Sequence, residues 1–394
     1  MKKIALGLTV FFSLFGTNIQ AVNPYISKVY DFMPAPGQFV NSLPEYTNGD
    51  TKETILGKVG EQICGNETDG ATPGMISLGA FGGYVVFGFD HPIVNVAGEY
   101  DFKVYGNAFG SSGSALNGGS CEPGIVSVSY DANGNGLPDD EWYELAGSDY
   151  NSKLTTKNYQ ITYYKPDTSR ALNADPDPKN TAITDRTYVK WTTNTDSTGY
   201  VMRNSFHTQS YWPQWAEGAT LTFTGTKLRN NSVNTGTAEN PYYILNFFDW
   251  GYVDNKPNAT DPGLKIDWAV DSKGKSVNLP SINFVKVHCA VNQYNGWLGE
   301  CSTEICGGED LHPLASGIEG VNADNNSLKI ISNTSSILKL WVEKSIKINI
   351  YNVAGEIISG NDLVEGYNDL DVNGYSNGIY IISSPYGSVK FIKR

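Results

Sequence analysis

The feature that most constrains this chain is the shortness of its apolar runs. Residues 83–89 (GYVVFGF), 100–105 (YDFKVY), 125–130 (IVSVSY), 159–164 (YQITYY), 242–248 (YYILNFF) and 282–287 (INFVKV) are short and rich in aromatic or β-branched residues, and turn-forming residues separate them. Such segments fit pleated strands, and the residues between them are those that make turns. Apolar spacing at a helical period occurs only near residues 53–64. Residues 165–200, polar and carrying Pro166, Pro176 and Pro178, read as a long surface excursion. With 42 glycines, 24 tyrosines and only 18% charged residues, the composition agrees with an all-β fold. The expected architecture is an antiparallel β-sandwich followed by a small C-terminal β-sandwich.

The ends and the charge state where such a chain works. Lys2 and Lys3 precede an apolar run over residues 4–15, and the segment closes on Ile19-Gln20-Ala21, so residues 1–21 read as a signal peptide. No later stretch approaches 18 uninterrupted apolar residues, which leaves the mature chain without a transmembrane segment. The formal net charge is −13, and no surplus of cations exists to meet nucleic acid phosphates or an anionic membrane. Of the five cysteines, Cys301 and Cys306 are spaced to close a small loop, with buried free thiols as the alternative. Neither the cysteines nor His91, His207, His288 and His312 have zinc-ligand spacing.

A polar stretch at residues 316–326 separates residues 22–315 from 327–394, where composition changes to a run of short strands such as SILKLWV and IKINIYN. Within it, INIYNVAGE (348–356), GIYII (378–382) and the terminal KFIKR resemble the C-terminal sorting domain of type IX secretion substrates. That resemblance implies contact with the type IX machinery and release or display outside the outer membrane of a Bacteroidetes-type bacterium. Residues 77–109 and 122–150, with GFDHPI, DFKVYGNAF and WYELAG, resemble discoidin-like (galactose-binding-like) jelly rolls. The resemblance implies a fold and, among other ligands, sugars.

One motif carries chemistry by itself. Residues 131–141 (DANGNGLPDDE) follow the D-x-[DN]-x-[DN]-G calcium-loop rule. Asp131, Asn133 and Asn135 supply side-chain oxygens, Leu137 a carbonyl, and Asp139, Asp140 or Glu141 the closing acid, because Trp142 stands at the twelfth position. Calcium as a structural cofactor is therefore expected, the alternative being an ion-free Asx-rich hairpin turn. Catalytic motifs are weaker. GYSNG (374–378) matches a nucleophile elbow but has no histidine after it. The acid pairs Asp139/Glu141 and Glu300/Glu304 have a composition suited to glycoside hydrolysis, but the first is assigned to an ion and the second to a cysteine-containing loop.

Binding is the remaining function. Trp212, Trp215, Trp250 and Trp297 lie in segments with turn residues and offer flat faces, and Asn292, Gln293 and Glu300 offer hydrogen bonds to hydroxyls. A core role for each ring is the alternative. The expected function is a secreted, cell-surface protein that binds an extracellular glycan or other small ligand. Its rivals are an adhesin or structural surface protein without a pocket, and a nutrient-capture accessory for a non-sugar ligand such as a corrinoid.

Overall fold

The computed structural model describes residues 23–65, 74–96, 98–111, 117–176, 181–313, 328–333, 336–352, 356–384 and 387–393. The expected signal peptide at 1–21 and the expected linker at 316–326 lie outside the described residues. The chain is nearly all β. Its central sheet has six antiparallel strands in the order Lys28–Met33, Tyr84–Val94, Ser281–Cys289, Gly124–Ser129, Trp142–Leu145 and Ala269–Val270. Val285 stands opposite both Phe87 and Val128, so three apolar side chains meet across the middle of the sheet. All three are fully buried, as alternation demands of strands facing a core.

The helix expected near residues 53–64 forms at Lys52–Ile63. Thr51 and Thr54 cap it reciprocally, and Ile55, Val59 and Ile63, four residues apart, bury one stripe in the core beside Phe32, Phe102 and Ile305. A second, four-stranded sheet runs Thr198–Asn204, Ile183–Thr193, Thr156–Tyr164, Thr220–Lys227. Its inner face (Tyr159, Ile161, Tyr163, Val189, Val201, Phe223) packs on Phe81, Tyr211 and Trp212. Threonines cover its outer face, where Thr162 and Thr222 hydroxyls meet at 2.8 Å.

One expectation is corrected here and one open alternative is decided. Residues 165–200 are not one excursion, because Ile183–Thr193 is an eleven-residue strand that turns at 194–197 into its partner Thr198–Asn204. Pro166 and Pro176 lie before the strand, and inside it Tyr188 and Val189 are buried. Cys301 and Cys306 do not pair: all five cysteines are free thiols, and every one except Cys64 is buried.

Three shorter assemblies position the site. One sheet runs Ser232–Asn234, Tyr243–Asn246, Gly118–Ser120, Phe109–Gly110. Glu304–Ile305 pairs with Ile76–Ser77, and Gly307–Asp310 with Phe102–Tyr105. The C-terminal strands form a separate core. Leu328–Asn333, Ile337–Val342 and Gly366–Asp371 make one sheet, and Ile357–Leu363, Ile346–Asn352, Gly378–Ser384 and Gly387–Lys393 make another. Leu338, Leu340, Val342, Ile348, Ile350, Ile382 and Phe391 fill the space between them. Among the described residues no helix is long and apolar enough to cross a membrane.

Candidate functional site

A cleft of about 290 Å³ opens where three loops meet. Gln38 and Phe39 come from the first, Phe206 and His207 from the loop after strand Thr198–Asn204, and Asn295, Leu298 and Glu300 from the turn at 295–300. Ser120 and Glu122 complete the lining. One buried side chain ties the loops together. Asn204 Oδ1 accepts from the backbone N–H of Phe206 (3.1 Å) and His207 (2.9 Å), the local bond that makes Asn favourable at a turn. Its amide donates to Gln38 Oε1 at 2.5 Å and to Leu298 O at 3.4 Å. At the rim Phe206 is 57% and Leu298 43% exposed. The His207 ring meets the Phe39 ring edge-on at 4.5 Å, and burial lowers its pKa, which keeps the imidazole neutral at neutral pH.

Acid side chains line the inner end of the cleft. Glu300 Oε1 accepts from Gln38 N at 2.6 Å, and Gln38 Nε2 donates to Glu300 O at 3.1 Å. Only glycine fits at 37, because a Cβ there would collide with Glu300 Oε1. Glu300 Oε2 is buried and has no hydrogen-bond partner. Glu122 Oε1 accepts from Ser302 N (3.1 Å), while Thr303 Oγ1 donates to Glu122 O (2.7 Å). Asp254 accepts at Oδ1 from Asn107 N and Ala108 N, both 2.8 Å, and at Oδ2 from Glu304 N at 3.0 Å. Glu304, held opposite Ser77 by strand pairing, accepts at Oε1 from Ser302 Oγ at 2.6 Å. The side chains of Ser77, Asn107 and Glu122 stand close around it, yet no hydrogen bond closes on its buried Oε2.

Four carboxyls are thus gathered, Asp254, Glu300 and Glu304 buried and Glu122 half-buried at the cleft wall. Among the described residues none of them forms an ion pair with Lys, Arg or His. Burial pushes every one up, and repulsion from neighbouring carboxylates adds to it at Glu122, Asp254 and Glu300. Glu304 reaches about 7 and Glu300 about 8, while Glu122 and Asp254 lie well above the carboxylate range. Groups so perturbed in a cleft mark a functional site more often than a random surface does.

The residues expected to bind ligand do not share one surface. Glu300 lines the cleft. Trp212 is 2% exposed and belongs to the second core, so its face is not open to a sugar. Trp215 stacks on Phe32 (6.1 Å, 19°) and Tyr46 (6.4 Å, 23°) inside the main core. Gln293 is buried, with its Oε1 accepting from Asn231 N at 2.8 Å, and Asn292 donates to Tyr159 Oη at 3.3 Å. Trp250 is 41% exposed but leans on Trp268 at 4.6 Å, away from the residues that line the cleft. The side chain of Trp297 lies outside the described residues, its backbone in the short turn Gly296–Leu298. Sequence reasoning missed Gln38, Glu122 and Asp254, and passed over Glu304. The pairing of Glu300 with Glu304 was the one signal that pointed here.

The loop at 131–141 is the opposite kind of place, largely exposed between strands Gly124–Ser129 and Trp142–Leu145 and tied outside itself by Asp131 N donating to Asn283 Oδ1 at 3.0 Å. Asp131 accepts from Asn135 N (3.1 Å) and Gly136 N (2.8 Å). Asn133 and Asn135 amides donate to Asp139, and Asp140 Oδ2 accepts from Ala132 N at 3.1 Å. Leu137 N donates to Asn135 Oδ1, and Glu141 turns to Tyr143 Oη at 3.0 Å.

Comparison with known proteins locates the chain in the cell. Residues 322–394 match the family described as the secretion system C-terminal sorting domain. These last residues carry the type IX sorting signal, which directs secretion to the cell surface or the medium. The protein reaches the cell surface or the medium of a Bacteroidetes-type bacterium and so meets the secretion machinery. No curated protein matches the chain. Among solved structures, it aligns with Faecalibacterium prausnitzii β-glucuronidase at 8% identity and a TM-score of 0.14, covering 72% of this chain and 47% of that one. It also aligns with a pullulanase from Bacillus acidopullulyticus at 10% identity and a TM-score of 0.12, covering 83% and 34%. The chain thus spans less than half of each, and likeness this slight carries no argument about activity.

Proposed function

We propose that this exported protein binds an extracellular ligand of the glycan class in the cleft between residues 38–39, 206–207 and 295–300. The observation that carries this is the composition of the cleft: apolar Phe206 and Leu298 at its rim, with Gln38, Asn295, Glu122 and Glu300 inside. Sugar rings present CH faces and hydroxyl edges, and aromatic surface beside amides and carboxyls serves both. A volume of about 290 Å³ suits one or two sugar rings. Likeness of residues 77–109 and 122–150 to discoidin-like jelly rolls supports the same reading. Calcium at Asp131, Asn133, Asn135, Leu137, Asp139, Asp140 and Glu141 is the structural cofactor in this proposal, supported by the motif and by the inward turn of its Asx side chains.

The test is a glycan array probed with the mature protein, followed by titration of the best hit against Phe206→Ala and Glu300→Gln. Both variants are expected to lose about tenfold or more in affinity while melting no lower than the parent, as anchors at a pocket do. An array without signal, or a hit indifferent to both substitutions, contradicts the proposal.

A further inference from the structure

Below the cleft, Glu122, Asp254 and Glu304 each offer one carboxylate oxygen, and the three oxygens lie within 4.8 Å of one another. A cation about 2.4 Å from each of its oxygen ligands brings any two of them no farther apart than that. We infer that these three side chains hold a hard divalent cation, calcium or manganese, at a site separate from the 131–141 loop. Glu122 belongs both to this triad and to the cleft lining, so the open side of the ion faces the cleft.

Three further observations support the assignment. The first is the orphan oxygen: Glu304 is 1% exposed, and no hydrogen bond closes on its buried Oε2. A buried carboxylate oxygen without a partner is costly, and a cation held among the three carboxylates supplies one. The second is the outer shell. Ser302 N holds Glu122, Asn107 N and Ala108 N hold Asp254, and Ser302 Oγ holds Glu304. Donors outside the triad fix the carboxylates as outer-shell partners fix metal ligands. The third is ligand chemistry. No histidine belongs to the triad, and the neighbouring Cys121 thiol is turned to Asn246 O at 3.3 Å. An all-oxygen set selects calcium, magnesium or manganese over zinc or copper. The competing arrangement keeps the acids protonated and shares protons among them.

The test uses full-length mature protein carrying Asp131→Ala, which disables the surface loop, after dialysis against chelator. Calorimetric titration with calcium, and manganese paramagnetic resonance, should each find one ion bound per chain at neutral pH. Adding Glu304→Gln should weaken that binding by more than about tenfold, the loss caused even by removing an outer-shell partner. Should Glu304→Gln not fold, Glu122→Gln, in a less deeply placed residue, is read in the same way. An Asp131→Ala protein that binds neither ion, or that binds equally well after either Glu→Gln change, overturns the assignment in favour of shared protons.

Discussion

The loop at 131–141 and the acid group at Glu122, Asp254, Glu300 and Glu304 are both rich in oxygen, and they are built in opposite ways. In the loop, the side chains find their partners within a few residues and are mostly exposed, so water screens their charges. In the acid group, the partners come from segments as far apart as residues 38 and 300, and the surroundings are dry. Loop carboxylates therefore tolerate one another without an ion. The buried ones repel, climb in pKa, and depend on protons or a cation. Proximity of acids means little until burial is known.

The largest difference should appear on truncation. Asp254→Ala strands three backbone N–H groups, those of Asn107, Ala108 and Glu304, and at about 1–3 kcal/mol each should cost about 3 kcal/mol or more. Asp131→Ala releases two N–H groups to water and should cost about 0.5 kcal/mol in chelator. Chemical denaturation of both variants checks this, and equal losses would erase the contrast.

The second difference concerns pH. Glu300 and Glu304 titrate near 8 and 7 in the folded protein and near 4.5 when unfolded. Between those values the native state holds more protons, so stability falls as pH rises, by about 1.4 kcal/mol per unit for each such group. Asp101, buried and raised to about 7 although Val96 N and Ile266 N donate to it, adds to the same trend. Cation-free protein should melt progressively lower from pH 5 to pH 8 (about the span of these groups), with calcium restoring the loss. Glu300→Gln should flatten the slope, and Asp131→Ala should leave it unchanged. A melting temperature that rises across this range would show that the acid group is wet.

A smaller effect reads dryness directly. Cys121, Cys289, Cys301 and Cys306 are buried, and burial pushes the Cys289 thiol up to about 12. Alkylation of the native protein, followed by mass spectrometry, should label Cys64 alone and slowly, because its thiol is half-buried and raised to about 11. Rapid labelling of Cys301, whose Sγ accepts from Gln293 Nε2 at 3.5 Å, would mean that water reaches the acid group.

The same contrast explains what the sequence revealed. Strands such as Thr156–Tyr164 were legible because Tyr159, Ile161 and Tyr163 alternate with exposed residues, and the 131–141 loop because its residues are contiguous. The tail was legible from GIYII and KFIKR. Strand Ile183–Thr193 escaped because prolines before it and threonines within it mask an alternation that only its sheet partners reveal. Trp212 and Trp215 looked like surface rings because Pro213 implies a turn, yet a turn can carry its side chains inward. The acid group has no local signature at all: Glu122, Asp254 and Glu304 are brought together by strand pairing and by the left-handed backbone at Asp254 (φ 53°). Glu300 was singled out, but for a surface shared with tryptophans that lie elsewhere.

The most direct measurement is anomalous diffraction from crystals of the mature protein soaked in manganese at neutral pH. If burial makes the acid group a true cation site, a peak will lie among the carboxylates of Glu122, Asp254 and Glu304, whether or not the 131–141 loop is also occupied. A peak at the loop alone, with these three carboxyls unchanged, would contradict it.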